Sequence, residues 1–94
     1  MLYVICTNVV EKNKLDAFYS AAKAHAKKSK EVDEGCISFD VSKYNEETRE
    51  VLFVEKWESR KDLDVHSRRC AIEPLIKGIS ENRINKTLKV IEID

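Results

Sequence analysis

Glu55, Trp57 and His66 are the side chains of this sequence best placed to do chemistry together. Glu55 and Trp57 are two residues apart on a predicted strand and therefore share a face, and His66 follows after one turn and a short helix. An imidazole at a cavity wall can exchange protons with a phenol or an enol near neutral pH, and Glu55 would orient it or set its charge. We therefore predict His66 and Trp57 as catalytic residues and Glu55 as a pocket residue. The alternative is a structural Glu55–His66 hydrogen bond that ties the helix to the strand, with Trp57 filling core.

Three further pocket candidates are His25, Phe39 and Phe53. Phe53 shares the strand face of Glu55, and Phe39 is core by its spacing, although an aromatic ring can also contact a flat ligand. His25 falls on the apolar stripe of the first predicted helix, where a lone histidine is more often a core or rim residue. If the pocket lies under this helix, His25 and His66 would line opposite walls.

Local patterns that bind metals or nucleotides are missing from the sequence. The cysteines, Cys6, Cys36 and Cys70, are far apart, and no CxxC pair suggests zinc or redox chemistry. There is no Gly-rich phosphate loop, no GxGxxG and no GxSxG, and the chain has only 2 glycines. We expect no metal, no nucleotide cofactor, cysteines that are small buried or half-buried apolar residues, and a reducing, cytoplasmic compartment.

Composition excludes several classes of partner. The 94 residues include 17 Lys and Arg against 17 Asp and Glu, interspersed rather than blocked, whereas a nucleic-acid binder would show a basic excess or stripe. No apolar run approaches the roughly 18 residues of a membrane span. Because no linker or composition break divides the chain, residues 1–94 are predicted to form a single domain with no nucleic-acid or membrane partner.

Hydrophobic periodicity and turn residues predict seven elements in the order strand, helix, strand, strand, helix, helix, strand. Asn13 with Asp16 looks like the cap of the first helix, and Ser59 with Asp62 like the cap of the second. The predicted elements are a strand at residues 2–10, a helix from 13 to about 31, strands at 36–44 and 50–58, a short helix from 59 through 66, a helical piece carrying Ile72 to Ile79, and a strand at 85–93. This βαββαβ order predicts an α+β, ferredoxin-like fold, with an antiparallel four-stranded sheet and helices on one face.

Both faces of the predicted sheet are apolar. In the first strand Tyr3 and Ile5 point to one side and Leu2 and Val4 to the other, and the third strand repeats this pattern. Helices can cover only one face, and soluble monomers seldom leave a large apolar patch in water. We therefore expect a homodimer whose sheets pack face to face. The alternative is a monomer whose alternate apolar residues are merely edge positions.

Two segments carry a recognisable family pattern. Glu34 to Val41 reads EGCISFDV, and after a polar turn Val54 to Ser59 reads VEKWES, followed by Leu63 and His66. In this order, over nearly the whole chain, the sequence resembles the antibiotic biosynthesis monooxygenase (ABM) family. Its members often read EPGC before the second strand and E-x-W-x-S leading to a histidine after the third. Here Asp33-Glu34-Gly35 replaces the usual Glu-Pro-Gly.

The resemblance implies a dimeric α/β barrel with a pocket in each protomer between sheet and helices. The family includes cofactor-independent oxygenases of quinols and polyketide aromatics, haem-degrading enzymes and an isomerase acting on a phosphorylated autoinducer. Asn8 becomes a pocket candidate because the haem-degrading branch carries an Asn on its first strand. The axial histidine of that branch would fall near Arg68 to Ala71, where this chain has none, so haem is not expected. Polyketide oxygenases pair the Trp with an Asn four residues earlier, where this chain has Phe53.

The function expected from residues and resemblance together is a cofactor-independent monooxygenase acting on a small aromatic, quinol-like or phenolic compound, with O₂ as co-substrate. The protein would supply desolvation, orientation and proton transfer. One alternative is an isomerase or other proton-transfer enzyme on a small carbonyl compound, using His25 and His66. Another is a non-catalytic dimeric module that binds a small ligand in a stress response. Fold alone does not choose among them.

Overall fold

A computed structural model describes residues 1–93 and has the predicted order of elements. Its four strands form one antiparallel sheet in the spatial order β2-β3-β1-β4, the ferredoxin-like arrangement. The α+β fold predicted from the sequence is therefore confirmed. The elements are β1 (Leu2–Val10), α1 (Leu15–Val32), β2 (Cys36–Val41), β3 (Glu50–Trp57), α2 (Arg60–Ala71), α3 (Ile76–Ser80) and β4 (Arg83–Glu92).

The ends of the first helix differ from the prediction. The N-cap position is Lys14, which makes no side-chain capping bond, so the Asn13 cap was wrong. At the other end α1 continues past residue 31 to Val32, and Asp33 closes it with its backbone N–H on Ser29 O at 3.0 Å. By contrast, the Ser59 cap of α2 is confirmed, because its hydroxyl accepts from the Asp62 N–H at 3.2 Å.

The other corrections concern the last third of the chain and the end of β2. The helical piece predicted to carry Ile72 begins only at Ile76, and Ile72 itself is 84% exposed beyond the end of α2. Pro74 lies ahead of α3, where its missing N–H disturbs no helical bond. β2 stops at Val41 rather than Tyr44, and β4 begins two residues early, at Arg83.

The sheet has one face covered by helices and one that is not. Along β1 the even-numbered residues Leu2 to Val10 are all buried, and the odd-numbered ones are half-buried. The covered face packs into two apolar clusters. One, built around Phe18, Phe39 and Phe53, lies under α1 and α3, and the other, built around Trp57 and Leu63, lies under α2. The candidate site lies where the two clusters meet.

The uncovered face of the sheet, here called the outer face, has the predicted apolar side chains on β1 and β3, with Lys56 and Lys89 beside them. Ile5 and Val54 are register neighbours on it, and Tyr3 and Leu52 flank them. Val54 is 37% exposed and the other three are half-buried.

None of the helices within residues 1–93 combines the length and the hydrophobicity needed to span a lipid bilayer.

Candidate functional site

A cavity of about 400 Å³ lies between the covered face of the sheet and the helices. Four of the predicted site residues line it: His25, Phe53, Glu55 and His66. The volume is within the range of pockets that hold small organic ligands. The predicted site residues therefore form only part of the cavity wall.

His66 projects inward from α2 beside Leu63, as its helical spacing predicted, and both are buried. Its Nδ1 lies 2.6 Å from Asp33 Oδ2, and its ring centroid lies 4.5 Å from that of Trp57. Burial lowers the pKa of His66, while the hydrogen bond to Asp33 raises it in part. With Nδ1 held by a carboxylate, Nε2 is the nitrogen left for proton exchange.

Asp33 and Arg69 are functional-site residues that the sequence did not reveal. Arg69 donates two hydrogen bonds to the Asp33 carboxylate, from Nε at 2.6 Å and from Nη2 at 2.7 Å. Burial raises the pKa of Asp33, but the hydrogen bonds from Arg69 and His66 outweigh this and leave it below its ordinary value. Arg69 also reaches Glu73 at 3.2 Å. Asp33 is thus an ionised, rigidly held acceptor for the imidazole.

Glu55 has a different partner from the one predicted. The expected Glu55–His66 hydrogen bond was wrong, because His66 uses Asp33 while Glu55 Oε1 accepts from Trp57 Nε1 at 2.9 Å. Glu55 is 5% exposed, and burial raises its pKa to about 7 despite the bond from Trp57. A carboxyl of this kind can take up or release a proton at neutral pH.

Trp57, Phe39 and Asn8 lie behind the cavity wall rather than on it. Trp57 is fully buried and supports both His66 and Glu55. Phe39 packs edge-on against His25, with centroids 5.2 Å apart. Asn8 is also fully buried, donating from Nδ2 to Val51 O at 3.0 Å and accepting from Arg83 at 2.9 Å. These three side chains position the lining residues.

His25 and His66 are side by side rather than on opposite walls. Their ring centroids are 5.5 Å apart. Burial, and then the nearby charges of His66 and Arg69, lower the pKa of His25 to about 4. Its Nδ1 is the one buried side-chain nitrogen or oxygen atom within residues 1–93 that has no hydrogen-bond partner. His25 is therefore an imidazole that the fold buries without satisfying it.

Cys70 completes this group of side chains, although no role beyond packing was predicted for it. Its Sγ lies 3.4 Å from His66 Nε2 and 3.9 Å from His25 Nε2, and it lines the cavity. Burial raises the pKa of the Cys70 thiol to about 11. Only His66 and Cys70, four residues apart on α2, had a spacing that could have shown their proximity. His25 comes from α1, at a distance along the chain that no local motif covers.

The rim of the cavity is cationic. Arg60 and Lys86 are exposed there, and the half-buried Arg83 lies beside them. Arg60 is within 3.7 Å of Asp64, an exposed ion pair that adds little stability. Arg83 and Lys86 belong to β4, so the rim unites the first turn of α2 with the last strand of the sheet.

The comparisons with known proteins agree with this architecture. A solved antibiotic biosynthesis monooxygenase superposes with a TM-score of 0.82 at 21% identity, covering 100% of this chain and 99% of that one. A conserved protein of Methanosarcina mazei Go1 gives 0.84 at 21% identity over 99% and 92% of the two chains. A candidate monooxygenase of the same name from Nitrosomonas europaea gives 0.84 at 17%, over 98% and 97%. Such identities establish the fold alone, and no curated protein matches the sequence.

The family assignment rests instead on a match between the sequence and a model of the family. The model described as antibiotic biosynthesis monooxygenase matches residues 1–73, from the first strand past the end of α2. This span contains His25, Asp33, His66 and Cys70, and it leaves out α3 and β4. The chain therefore belongs to the antibiotic biosynthesis monooxygenase family.

Proposed function

We propose that the protein is a cofactor-independent monooxygenase of a small phenolic or quinol-like aromatic compound, with His66 as the catalytic base. The observation that carries this proposal is His66 in the wall of the cavity, with Asp33 held 2.6 Å behind it on Nδ1. A carboxylate on Nδ1 fixes the tautomer of an imidazole and stabilises the cation formed when Nε2 accepts a proton. Asp33 and Arg69 are then positioning residues.

The first step would be transfer of the phenol proton to His66 Nε2. The resulting aryloxide is electron-rich and can reduce O₂, after which a carbon–oxygen bond forms. The peroxide anion takes the proton back from His66 Nε2 and becomes a hydroperoxide on the ring carbon. Loss of the proton on that carbon and cleavage of the O–O bond then give a quinone carbonyl and one molecule of water. The substrate supplies all four electrons, so one oxygen atom enters the product and the other leaves as water.

The rest of the wall suits this chemistry. Phe53 offers an aromatic surface for a flat ring, and the cationic rim of Arg60, Arg83 and Lys86 favours the anionic form of the substrate. Glu55, with its pKa of about 7, can receive the proton lost from the ring carbon.

We further infer that the protein works as a homodimer in the cytoplasm. The apolar outer face around Ile5 and Val54 supports the dimer, because a second copy would cover both outer faces at once. The three unpaired cysteines support a reducing compartment.

The test is oxygen uptake by metal-free protein over a panel of hydroquinones and dihydroxynaphthalenes. We expect uptake above the autoxidation blank, reduced on the order of 100-fold or more in His66→Gln and reduced in Asp33→Asn. The matched control is Asp16→Asn, an exposed aspartate in the first turn of α1, which should leave the rate unchanged. Circular dichroism checks that each variant is folded.

Two results would contradict the proposal. Uptake that persists in folded His66→Gln would remove the base from the mechanism. No uptake with any substrate would favour the proton-transfer alternative, in which the same Asp33–His66 pair isomerises a small carbonyl compound without O₂. Exchange of substrate protons with solvent deuterium, followed by NMR, would detect that activity directly.

A further inference from the structure

We propose that His25, His66 and Cys70 form a binding site for one divalent transition-metal ion, with Zn²⁺ as the best match. These residues contribute two imidazoles and one thiol, and one ligand atom from each lies within 4.8 Å of the others. Thiolate and imidazole are the ligands that zinc and its borderline-soft neighbours prefer. This inference goes beyond the proposed oxygenase reaction, which uses no metal.

The spacing of the donor atoms is close to that of a tetrahedral site. Zinc bonds of about 2.3 Å to sulfur and 2.0–2.1 Å to nitrogen, at a tetrahedral angle, place S and N about 3.6 Å apart. The Cys70 Sγ atom lies 3.4 Å from His66 Nε2 and 3.9 Å from His25 Nε2. These two distances bracket the tetrahedral value, and the two imidazole nitrogens lie within 4.8 Å of each other.

The surroundings of His66 resemble the second layer of a metal site. A metal-binding histidine usually donates its other ring nitrogen to a carboxylate, which fixes the tautomer and orients the ring. Asp33 is in that position, 2.6 Å from His66 Nδ1, and two hydrogen bonds from Arg69 hold it. His66 Nε2, the nitrogen that points to Cys70, therefore keeps a lone pair that can bind a cation.

His25 supplies an independent observation. It is 4% exposed on an apolar helix face, its Nδ1 has no partner among residues 1–93, and its Nε2 is 3.9 Å from a thiol. The unpartnered Nδ1 is not the metal-binding atom, so the cost of burying this ring has to be offset at Nε2, the nitrogen that lies beside the thiol. Binding of a cation at Nε2 would give this buried ring a strong interaction that the protein alone does not offer.

The site would be open on one side. All three residues line the cavity, so the fourth coordination position of a tetrahedral ion would face the space where a substrate enters. The metal would also take the lone pair of His66 Nε2 that the proposed deprotonation needs. Metal-bound and metal-free protein are therefore two distinct states, and zinc would act as a reversible inhibitor of the oxygenase reaction.

Titration of chelator-treated protein with Co²⁺ tests the site without any substrate. We expect one Co²⁺ per chain, visible d–d bands of a four-coordinate ion and a sulfur-to-cobalt charge-transfer band in the near ultraviolet. Cys70→Ser should abolish the charge-transfer band, whereas Cys36→Ser, which changes a half-buried thiol on β2 outside the cluster, should retain it. His25→Gln should weaken binding at least 10-fold, and Asp33→Asn by 10–100-fold.

A second measurement uses the unaltered chain. Alkylation with iodoacetamide, read by mass spectrometry of peptides, should show Cys70 protected when Zn²⁺ is present and Cys36 modified equally with and without it. Absence of a charge-transfer band in the wild type, a band that survives in Cys70→Ser, or no zinc protection of Cys70 would each overturn the site. None of these readouts depends on turnover, so failure of the metal site and failure of the oxygenase proposal are separate results.

Discussion

Glu55 is a carboxyl group whose burial has consequences for stability as well as for chemistry. Burial raises its pKa from 4.5 to about 7 in the folded protein. Between these two values the unfolded chain has already released the proton while the folded chain still holds it. Stability contributed at this position is therefore fully present below pH 4.5 and is lost as pH rises through 7.

Glu55→Gln should remove this dependence. The amide oxygen can still accept from Trp57 Nε1, and the side chain no longer has to ionise in a buried position. We expect the variant to match the wild type near pH 4.5 and to exceed it by up to about 3 kcal/mol above pH 7. Urea unfolding at a series of pH values measures the difference, and a constant difference across that range would contradict the buried, proton-binding carboxyl.

Arg69 is the residue on which the alignment of the Asp33–His66 pair depends. Arg69→Met keeps much of the side-chain volume but leaves a carboxylate 4% exposed and without its main partner. We expect a loss of about 2–3 kcal/mol in the free energy of unfolding, since breaking a buried ion pair is costly. The neighbouring exposed Arg68→Met is the matched control and should change stability by less than about 0.5 kcal/mol. Equal effects of the two substitutions would remove the structural role assigned to Arg69.

At the scale of single residues, the sequence identified residues of the candidate site only where helical spacing could be used. His66 was predicted to face inward because it follows Leu63 at helical spacing, and both are buried. Asp33 and Arg69 were not among the predicted site residues, since nothing in a charge pattern tells that the end of one helix will meet the second half of another. The cluster of His25, His66 and Cys70 was not predicted for the same reason, because His25 belongs to α1 and the other two residues belong to α2.

At the scale of elements, the junction between β2 and α2 depends on Gly35. Its φ of 81° is a left-handed conformation, and a Cβ built there would lie 2.2 Å from Asp62 Oδ2. Asp62 belongs to the first turn of α2 and bonds to the Ser59 cap. Gly35 O also accepts from the Glu58 N–H at 2.9 Å. The start of α2 therefore packs directly against Gly35, which lies two residues after Asp33 in the sequence.

Gly35→Ala should therefore destabilise the protein by at least about 2 kcal/mol, through both backbone strain and the clash with Asp62. A double-mutant cycle with Asp62→Gly separates the two causes, because removing the Asp62 side chain relieves only the clash. We expect the double variant to lose less stability than the sum of the single variants, as measured by thermal unfolding. Strict additivity would show that Asp62 does not press on the glycine.

Element boundaries show where sequence patterns stop being informative. The strand pattern of β2 runs on through Tyr44, but the regular strand ends at Val41. Beyond it, contact with β3 is reduced to the Ser42 N–H bond to Leu52 O and an isolated bridge between Asn45 and Glu50, where the predicted polar turn begins. Ile72 continues the apolar pattern of α3 and yet is exposed, because Pro74 cannot lie inside the helix and so delays its start. Propensity located the elements, while local hydrogen bonding decided where each of them ends.

At the scale of the whole molecule, the proposed dimer depends on the outer face of the sheet. A charge placed on it should block face-to-face packing, because an unpaired ammonium would be buried between the sheets. We expect Val54→Lys to shift the protein to a monomer in sedimentation experiments. Val65→Lys, at an exposed valine of α2, is the control and should sediment as the wild type does. A wild-type monomer at all concentrations would exclude the dimer.

The pairing of β1 with β4 also sets an order of events for the folding chain. Leu2 faces Glu92 in this pair, so nearly the full length of the polypeptide must be looped before the two strands can meet. Contacts between such distant segments require a large loss of conformational entropy to close the loop, and they tend to form late. β4 carries Arg83 and Lys86 of the cavity rim, so the cavity is completed only when this last strand docks. Release of β4 would conversely be an early route for unfolding, and a bound ligand that spans the rim would slow it.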